Sequence, residues 1–378
     1  MRRLVALLAT TARAQTPRRV HGFDVRTRAG HAFKCLDVFI APAPWNASAP
    51  ALIGVCHPGH RQLTWAGGRC GFRYASTEMD ARVAREAGHE VFACAVPPTE
   101  QLDGKFLGAR ITDGDHDNAI SVTASTWPWR QRSKTYGVAV TFMGKDVACG
   151  LNKGLEAHCF RDWLEWHRLL GVDHFVAYDN GSRGDHAWLR VARHYARRGL
   201  LTLVDWPYQL GGEGTTGNNV AQRAQLSHAA FAFSPRVGWL GTFDVDEFLV
   251  PAPLGEAPQL NASIKKLFDG VVAPAFPDEA FSVVAPMRDA QAPDTCLTSK
   301  SATTRLAACA FYHATDERGH PKAFRRGGRA HPIFSPHRAK VLHGPARGAT
   351  LDDAAHFVHF TGRYLCGKST SASRRNAP

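Results

Sequence analysis

The sequence predicts an α/β fold, in which a mainly parallel sheet is flanked by helices and preceded by a region rich in short strands. From residue 136 onward, apolar runs with strand character alternate with amphipathic runs of helical spacing. This alternation is typical of parallel sheets with crossover helices. Before residue 136, short apolar runs lie between Gly, Pro and Asn residues without a helical period, which indicates short strands joined by turns.

The alternating region contains four predicted strands and three predicted helices. The strands are expected at 137–143, 174–179, 200–206 and 239–251, and the helices at 156–170, 186–198 and 220–233. Gly171 and Gly199 follow the first two helices, where a left-handed residue commonly ends a helix. The third helix is expected to stop at Pro235. Ligands of such sheets bind beyond the carboxyl ends of the strands, so this edge is the expected site.

Four segments describe the predicted organisation. A targeting segment is expected at 1–20, a β-rich region at 21–135, an α/β domain at 136–364 and a tail at 365–378. Within the β-rich region, the run RYASTEMDARVAREAG (73–88) has helical character and ends in glycine. We therefore predict one helix there.

The composition restricts the class of protein. Of the 378 residues, 44% are hydrophobic and 21% charged, which is globular composition and excludes general disorder. The net charge of +13 favours anionic partners such as phosphates, although arginines that only solvate the surface would give the same charge. No nucleic-acid-binding signature is present. The nine cysteines form no CxxC pair, which argues against a zinc ribbon.

The first residues indicate the secretory pathway. The run MRRLVALLATTARAQT has two arginines before a short apolar stretch and small residues after it, which is typical of a secretory signal. The apolar stretch is far shorter than the ~20 residues of a membrane helix. We expect membrane association only through this segment or through an anchor that lies upstream. Asn46 and Asn261 begin possible glycosylation sequons, which would be used in that compartment.

The run WLGTFDVDEFLVP (239–251) places three carboxylates in an apolar stretch. On an extended strand, Asp244 and Asp246 would lie on one face, and two such charges repel unless a cation bridges them. Hard oxygen ligands suit Mg²⁺ or Mn²⁺, although basic side chains or solvent would also compensate them. Glu247 would lie on the other face with a hydrogen-bonded structural role. A similar pattern, DGDHD (113–117), is interpreted as a solvated loop because no predicted strand precedes it.

Several of these stretches together resemble one enzyme family. LEWHRLLGVDHFVAYDNGS (164–182), then Gln222, then 239–251 resemble glycosyltransferase family 92, nucleotide-sugar enzymes of the GT-A fold. The segments 70–97 and 331–345 and the pair His359-Phe360 extend the resemblance. It implies a GT-A-type, Rossmann-like mixed sheet over 136–364, and it implies that Cys70 and Cys94 are paired.

The resemblance also implies roles for individual residues. Asp179 would contact the base of the nucleotide, and Asp244 would contact the ribose or the metal. Asp246 would be the firmer metal ligand, and His359 would complete the metal and diphosphate site. Two other histidines are less favoured candidates for that last role, His356 and His343.

The implied activity is transfer of a sugar, galactose from UDP-galactose, to a glycan or glycoprotein acceptor with inversion. The resemblance implies Mn²⁺ as cofactor and the Golgi as location. The stretch 274–328 departs from the family, so the catalytic base is not identified. The available carboxylates are Asp289, Asp278 and Glu279. The basic run 322–340 would bind diphosphate or form a solvated face. Two alternatives remain: an inactive transferase-like protein that binds glycans, and a basic module that binds polyanions.

Overall fold

A computed structural model describes the elements of both predicted regions. It covers residues 18–19, 23–26, 32–43, 46–58, 69–72, 79–80, 82–86, 89–96, 106–113, 116–125, 136–144, 157–180, 187–206, 217–251, 264, 267–268, 281–291, 313–327, 347–351 and 355–360. Most of the predicted targeting segment and all of the tail lie outside these residues. His343, Asp278, Glu279 and Asn261 also lie outside them.

The strands of the β-rich region form one sheet, here called the N-terminal sheet. In sheet order they are β6-β5-β9-β10-β3-β4-β8-β7, and β2 pairs with β3. Their bounds are β2 (Phe23–Arg26), β3 (Ala32–Ala43), β4 (Asn46–Pro58), β5 (Arg69–Phe72), β6 (Met79–Asp80), β7 (Arg82–Glu86), β8 (His89–Ala95), β9 (Phe106–Asp113) and β10 (His116–Ser125).

The N-terminal sheet is strongly curled. β5 and β8 are separated by four other strands in the sheet order, so a flat sheet would hold them about 24 Å apart. A disulfide nevertheless joins Cys70 of β5 to Cys94 of β8, with a Cα–Cα distance of 6.2 Å. The two ends of the sheet therefore approach each other, and the cysteine pair that the family resemblance implies is present.

The helix predicted at 73–88 is wrong. Its described residues belong to two strands, β6 and β7, and β7 pairs antiparallel with β8 from Arg82↔Ala93 to Glu86↔His89. Gly88 lies outside the described residues. Helix propensity is a weak preference that pairing with a neighbouring strand overrides.

The remaining strands form a second sheet, here called the central sheet. Its order is β1-β13-β12-β11-β14-β17-β16-β19-β15, and β18 pairs with β16. The bounds are β1 (Arg18–Arg19), β11 (Tyr136–Gly144), β12 (His174–Asp179), β13 (Leu201–Asp205), β14 (Val237–Thr242), β15 (Glu247–Pro251), β16 (Phe281–Gln291), β17 (His313–Arg326), β18 (Arg347–Thr350) and β19 (Ala355–Phe360). The helices are α1 (Ala157–Leu169), α2 (Ala187–Arg197) and α3 (Gly217–Phe233), and a 3₁₀ turn follows at Ser234–Arg236.

One half of the central sheet is parallel and the other half is mixed. β13, β12, β11 and β14 are parallel neighbours, whereas β17 runs antiparallel to both β14 and β16. The strands of the parallel half alternate along the chain with α1, α2 and α3. The mixed α/β class is therefore confirmed, and the GT-A arrangement stays a prediction, as does the domain boundary at residue 135.

Both faces of the parallel half are buried. Phe142 and Phe175 point into a core formed with Phe160 and Trp163 of α1 and with Trp188 of α2. Their strand neighbours pack on the opposite face against α3 and the N-terminal sheet, namely Met143 and Val176. Because helices and a second sheet cover both faces, the strands read as continuous apolar runs.

The two predicted helix ends are confirmed. Gly171 has φ 97° and Gly199 has φ 72°, conformations that residues with a Cβ rarely adopt. At the first end, the backbone amide of Val172 donates to the carbonyl of His167 at 2.9 Å.

None of the helices in the described part of the chain combines the length and the apolar composition of a membrane span.

A buried polar network joins the two sheets through α3, and we call it the inter-sheet triad (Asp37, His228, Tyr178). His228 Nε2 lies 2.8 Å from Asp37 Oδ2, and His228 Nδ1 lies 2.6 Å from the Tyr178 hydroxyl. Burial, followed by the charge of Asp37, raises the pKa of Tyr178, so its hydroxyl keeps the proton. His228 Nε2 donates to the Asp37 carboxylate, and the bond between His228 Nδ1 and the Tyr178 hydroxyl completes the network.

Candidate functional site

The acidic run lies where the strand order reverses. β11 has β12 on one side and β14 on the other, and parallel sheets bind ligands beyond the carboxyl ends of strands at such a point. β14 ends at Thr242, in register with Thr141 of β11. Residues 243–246 follow immediately and connect β14 to β15, so Asp244 and Asp246 lie at this edge.

The single strand predicted at 239–251 is two strands. β14 pairs with β11 and β17, whereas β15 pairs with β19 at the far end of the sheet order. Asp246 lies in a turn between them. The prediction that Asp244 and Asp246 share one face of an extended strand is therefore wrong. The chain turns between the two aspartates, and their carboxylates contact different side chains.

Asp246 faces a histidine from another strand. The register of β15 and β19 sets Glu247 opposite His359, so the residue before Glu247 also lies close to that histidine. Asp246 Oδ2 is 3.4 Å from His359 Nε2, and the two side chains are 24% and 29% exposed. Solvent, and therefore a ligand, can reach this pair.

Asp244 is compensated by neutral and cationic donors. Gln222 Nε2 donates to Asp244 Oδ1 at 2.9 Å, and Lys322 Nζ donates to Oδ2 at 3.3 Å. The Asp244 side chain is still 41% exposed. Its carboxylate is thus held on one side by protein groups and open on the other.

Glu247 is buried and paired. Lys322 Nζ lies 2.7 Å from Glu247 Oε1, and the backbone amide of Asp244 donates to Oε2 at 2.7 Å. Burial raises the pKa of Glu247 to about 8, and the charge of Asp244 adds to this while Lys322 opposes it. The prediction of a hydrogen-bonded structural role for Glu247 agrees with both contacts.

Lys322 is the buried cation of the site. Burial lowers its pKa, but the charges of Asp244 and Glu247 outweigh burial and leave the pKa raised. It opens the basic run 322–340, yet its side chain is only 3% exposed. A solvated face is therefore wrong for Lys322. Sequence reasoning missed its role because β17 reaches Asp244 only through the pairing of distant strands.

Three of the side chains lie close enough together that they could share a metal ion. Among the described residues, Asp246, Glu247 and His359 each offer a ligand atom within 4.8 Å of the other two. Both oxygens of Glu247 already accept from protein donors, which leaves Asp246 and His359 as the partly exposed members of the group. One carboxylate and one imidazole suit a divalent transition metal. Asp244, which was predicted to share the ion, is not part of this group.

Asp179 lies on the same edge of the sheet. It ends β12, in register with Gly144 of β11 and Asp205 of β13. Its carbonyl accepts from the amide of Trp206 at 2.9 Å, and its side chain is half-buried. β12 and β14 flank β11, so Asp179 stands about 10 Å from the line of β14. A ligand extended along this edge of the sheet would reach both Asp179 and the acidic run that follows β14.

The other candidates differ in their placement. His356 pairs with Val250 and is three residues from His359, so the two side chains leave opposite faces of β19. This geometry favours His359 as the ligand. The backbone of Asp289 lies on β16 in register with His359, whereas Asp278 and Glu279 lie outside the described residues.

The look-alike acidic run at 113–117 has a different setting. β9 ends at Asp113 and β10 begins at His116, and the two strands pair antiparallel. The expectation that no strand precedes this run is therefore wrong. The run joins two neighbouring antiparallel strands, whereas 243–246 follows a strand of the parallel half.

Comparison with known proteins shows that the central region of the chain is similar to one enzyme family. The family model described as glycosyltransferase family 92 matches residues 148–309. A family 92 protein of Ricinus communis is 26% identical over 225 residues, which are 56% of this chain and 36% of the relative. One of Arabidopsis thaliana is 24% identical over 204 residues, which are 52% of this chain and 33% of the relative. The family resemblance is therefore confirmed over the matched part of the chain, residues 148–309.

The matches extend over only part of each relative. The matched region spans only about a third of the length of either curated relative. A ferredoxin-NADP⁺ reductase from Plasmodium falciparum is 7% identical, covering 55% of this chain and 80% of its own, with a TM-score of 0.15. That similarity is too low to support any argument about the fold. Asp179, Asp244 and Asp246 lie inside the family match, whereas Lys322 and His359 lie beyond it.

Proposed function

We propose that the protein is a metal-dependent glycosyltransferase that takes its sugar from a nucleotide diphosphate donor. The pairing of Asp246 with His359 supports the proposal most directly. This pair stands beyond the carboxyl end of β14, where the strand order reverses, and Asp246 belongs to the family 92 domain. A carboxylate and an imidazole, both partly exposed, are the groups that such a site requires.

The proposed roles follow from the position of each residue. Asp246 and His359 would hold a divalent ion, Mn²⁺, whose charge offsets that of a departing diphosphate. Asp179 would bind the nucleoside end of the donor, two strands along the edge. Asp244 would bind the ribose or the ion on its exposed side. Lys322 offsets part of the negative charge of Asp244 and Glu247.

The proposal extends to the donor, the acceptor and the stereochemistry of the transfer. We propose UDP-galactose as donor, a glycan or glycoprotein as acceptor and inversion at the anomeric carbon, on a GT-A fold. Inversion requires a carboxylate that accepts the proton of the acceptor hydroxyl, and we propose Asp289, whose position on β16 is in register with His359. The Cys70–Cys94 disulfide supports an oxidising compartment, and we propose the secretory pathway, specifically the Golgi.

A second candidate function is a transferase-like protein that binds glycans without turnover. Lys322 supports it, because its ammonium group lies within 3.3 Å of Asp244 and 2.7 Å of Glu247. It thereby supplies some of the positive charge that a metal would otherwise bring to the acidic run. Under this alternative, donor binding survives and sugar transfer does not.

Calorimetric titration with UDP tests the proposal. We expect UDP to bind in Mn²⁺ and to lose about hundredfold in affinity in EDTA or in Asp246→Asn, the range for loss of a metal ligand or its support. Asp113→Asn, in the look-alike run, is the matched control and should bind as the wild type does. Equal UDP affinity with and without metal, in both variants, would overturn the metal-dependent site.

Turnover separates the two candidate functions. Release of UDP from UDP-galactose, measured with and without a glycan acceptor, is expected of an active enzyme. Asp289→Asn should then reduce turnover while leaving UDP affinity within about twofold, because a base acts on the acceptor and not on the donor. Binding of UDP without any release of sugar would instead favour the glycan-binding alternative.

A further inference from the structure

β15 is the last strand of the central sheet among the described strands. Within the described part of the chain it pairs with β19 alone, so one edge of β15 faces away from this sheet. Along such an edge, every second residue directs its backbone N–H and C=O groups outward. Glu247 and Leu249 are two residues apart and belong to the same edge. Buried backbone groups of this kind require partners.

Side chains of α1 provide these partners. Trp163 Nε1 donates to the carbonyl of Glu247 at 2.9 Å, and Trp166 Nε1 donates to the carbonyl of Leu249 at 2.9 Å. The amide of Leu249 donates to His167 Nε2 at 3.3 Å. Three side chains of one helix thus stand in for a neighbouring strand.

The spacing of the two elements makes this possible. Positions 163, 166 and 167 lie on one face of a helix, because residues three and four apart are neighbours there. Positions 247 and 249 lie on one edge of a strand. His167 Nδ1 lies 2.9 Å from the carbonyl oxygen of Trp163. A carbonyl oxygen can only accept, so Nδ1 carries the hydrogen and donates it in this bond. In the neutral ring Nε2 is then the acceptor for the Leu249 amide. Burial lowers the pKa of His167 to about 3, which agrees with this neutral form.

The anchored peptide group lies next to the metal ligands. Trp163 binds the carbonyl of Glu247, the residue that directly follows Asp246 and stands opposite His359 in the sheet. Displacing β15 along or away from β19 would therefore change the distance between Asp246 and His359. α1 therefore holds, from the opposite edge, the strand on whose position this distance depends.

We infer that Trp163, Trp166 and His167 are positioning residues that complete the outer edge of β15 and thereby hold Asp246 in place beside His359. The inference rests on the proposed function as far as it concerns metal binding. Its structural half, the fixing of β15, stands on the three hydrogen bonds alone. Packing alone does not explain why these positions are tryptophan, since phenylalanine would pack at 163 and 166 but has no N–H group to donate to the β15 carbonyls.

The test replaces the indole donors and keeps an aromatic ring. We compare the double variant Trp163→Phe/Trp166→Phe with Trp188→Phe, in which the same change is made in the same core, where Trp188 packs on Phe160. Mn²⁺ affinity is measured by electron paramagnetic resonance. We expect the double variant to bind Mn²⁺ at least about tenfold more weakly, as for supporting residues of metal sites, and Trp188→Phe to stay within about twofold.

Hydrogen exchange supplies a second readout that requires no metal. We expect the amides of Phe248 and Val250, which face β19 by alternation, to exchange at least about tenfold faster in the double variant. His167→Leu should accelerate exchange of the Leu249 amide, and His167→Gln, which keeps an acceptor, should restore protection. Thermal unfolding of all variants shows whether the changes are local to β15.

The two readouts separate the inference from the proposed function. If the wild type binds no Mn²⁺, the proposed function fails, and exchange alone decides whether α1 fixes β15. If the wild type binds Mn²⁺ and the double variant binds it equally well, the positioning role is overturned while the proposed function stands. Unchanged exchange of the β15 amides would overturn the inference in either case.

Discussion

The inter-sheet triad and the acidic run at 243–247 are both polar clusters in an apolar molecule, and they differ in how completely the protein satisfies them. Asp37 and His228 are 0% exposed, and each member of the triad has a partner within it. Asp246 and Asp244 remain 24% and 41% exposed and stand at strand ends. A fully satisfied buried network fixes a structure, whereas a partly open one has oxygens left for a ligand.

The largest predicted effect concerns the triad. Asp37→Ala leaves the buried Nε2–H of His228 without its acceptor and should lower the free energy of unfolding by about 4 kcal/mol, as when one partner of a buried pair is removed. Urea denaturation measures this. UDP affinity of the folded variant should stay within about twofold of the wild type. A loss of UDP binding without a loss of stability would reverse the roles of the two clusters.

The matched control for Asp37→Ala is Asp173→Ala. Asp173 also accepts from backbone amides, at 2.7 Å from Gly137 and 3.0 Å from Val138, but its side chain is exposed. We expect a cost of about 1 kcal/mol, since water can replace the lost hydrogen bonds. Equal costs for the two variants would show that burial does not distinguish these carboxylates.

The next effect concerns the cation of the acidic run. Lys322→Met removes the ammonium donor that stabilises the buried carboxylate of Glu247, so Glu247 must bind a proton or remain charged without a partner. We expect the free energy of unfolding to fall by about 3 kcal/mol. Adding Glu247→Gln should recover at least about half of the loss, because a neutral amide does not require the ammonium group. Urea denaturation of the two variants and of Glu247→Gln alone measures the coupling. Additive losses would mean that Lys322 does not act through Glu247.

A smaller effect should distinguish the two aspartates. Asp244 is already held by Gln222 and Lys322, so Asp244→Asn should weaken Mn²⁺-dependent UDP binding about tenfold, or about 1.4 kcal/mol. Asp246→Asn, which removes the proposed metal ligand, should weaken it about hundredfold. Calorimetric titration of both variants in the same buffer provides the comparison. The opposite ranking would make Asp244 the principal ligand.

The smallest effect is a pH dependence of stability from His167. Its pKa of about 3 in the folded state lies below the ordinary 6.5, so between these values the unfolded chain binds more protons. The contribution of neutral His167 is therefore complete above about pH 6.5 and is lost as the pH falls. We expect protonation of His167 in the unfolded chain to lower the free energy of unfolding by about 1 kcal/mol between about pH 6 and pH 5.

Urea denaturation of the wild type and of His167→Gln at both pH values measures this contribution. Glutamine does not titrate, so the variant should show a shallower loss of stability on acidification. Parallel pH profiles for the two proteins would exclude His167 as the source. The comparison of slopes cancels the other histidines, which both proteins share.

The parts of the fold that the sequence predicts are those set by local pattern. The α1 helix and its end at Gly171 follow from apolar spacing and from the conformational freedom of glycine. The break between β14 and β15 does not, because an apolar run carries no information about which strand it will pair with. The same limit explains the helix wrongly predicted at 73–88, where pairing with β8 decides the structure.

The candidate site divides in the same way. Asp244 and Asp246 are identified by composition and by position after a predicted strand. Lys322 is 78 residues from Asp244 in the chain, and its burial depends on the pairing of β17 with β14. Recognising its role from the sequence would have required that pairing. The anchoring of β15 by α1 is likewise a contact between residues more than eighty positions apart.

The most direct test of the account is pulsed electron paramagnetic resonance of Mn²⁺ bound to the protein with UDP, using a chain labelled with ¹⁵N-histidine. The account predicts a hyperfine coupling between the manganese and one imidazole nitrogen, lost in His359→Ala and retained in His356→Ala. Manganese bound without any nitrogen coupling, or a coupling that survives in His359→Ala, would contradict a metal site formed by Asp246 and His359.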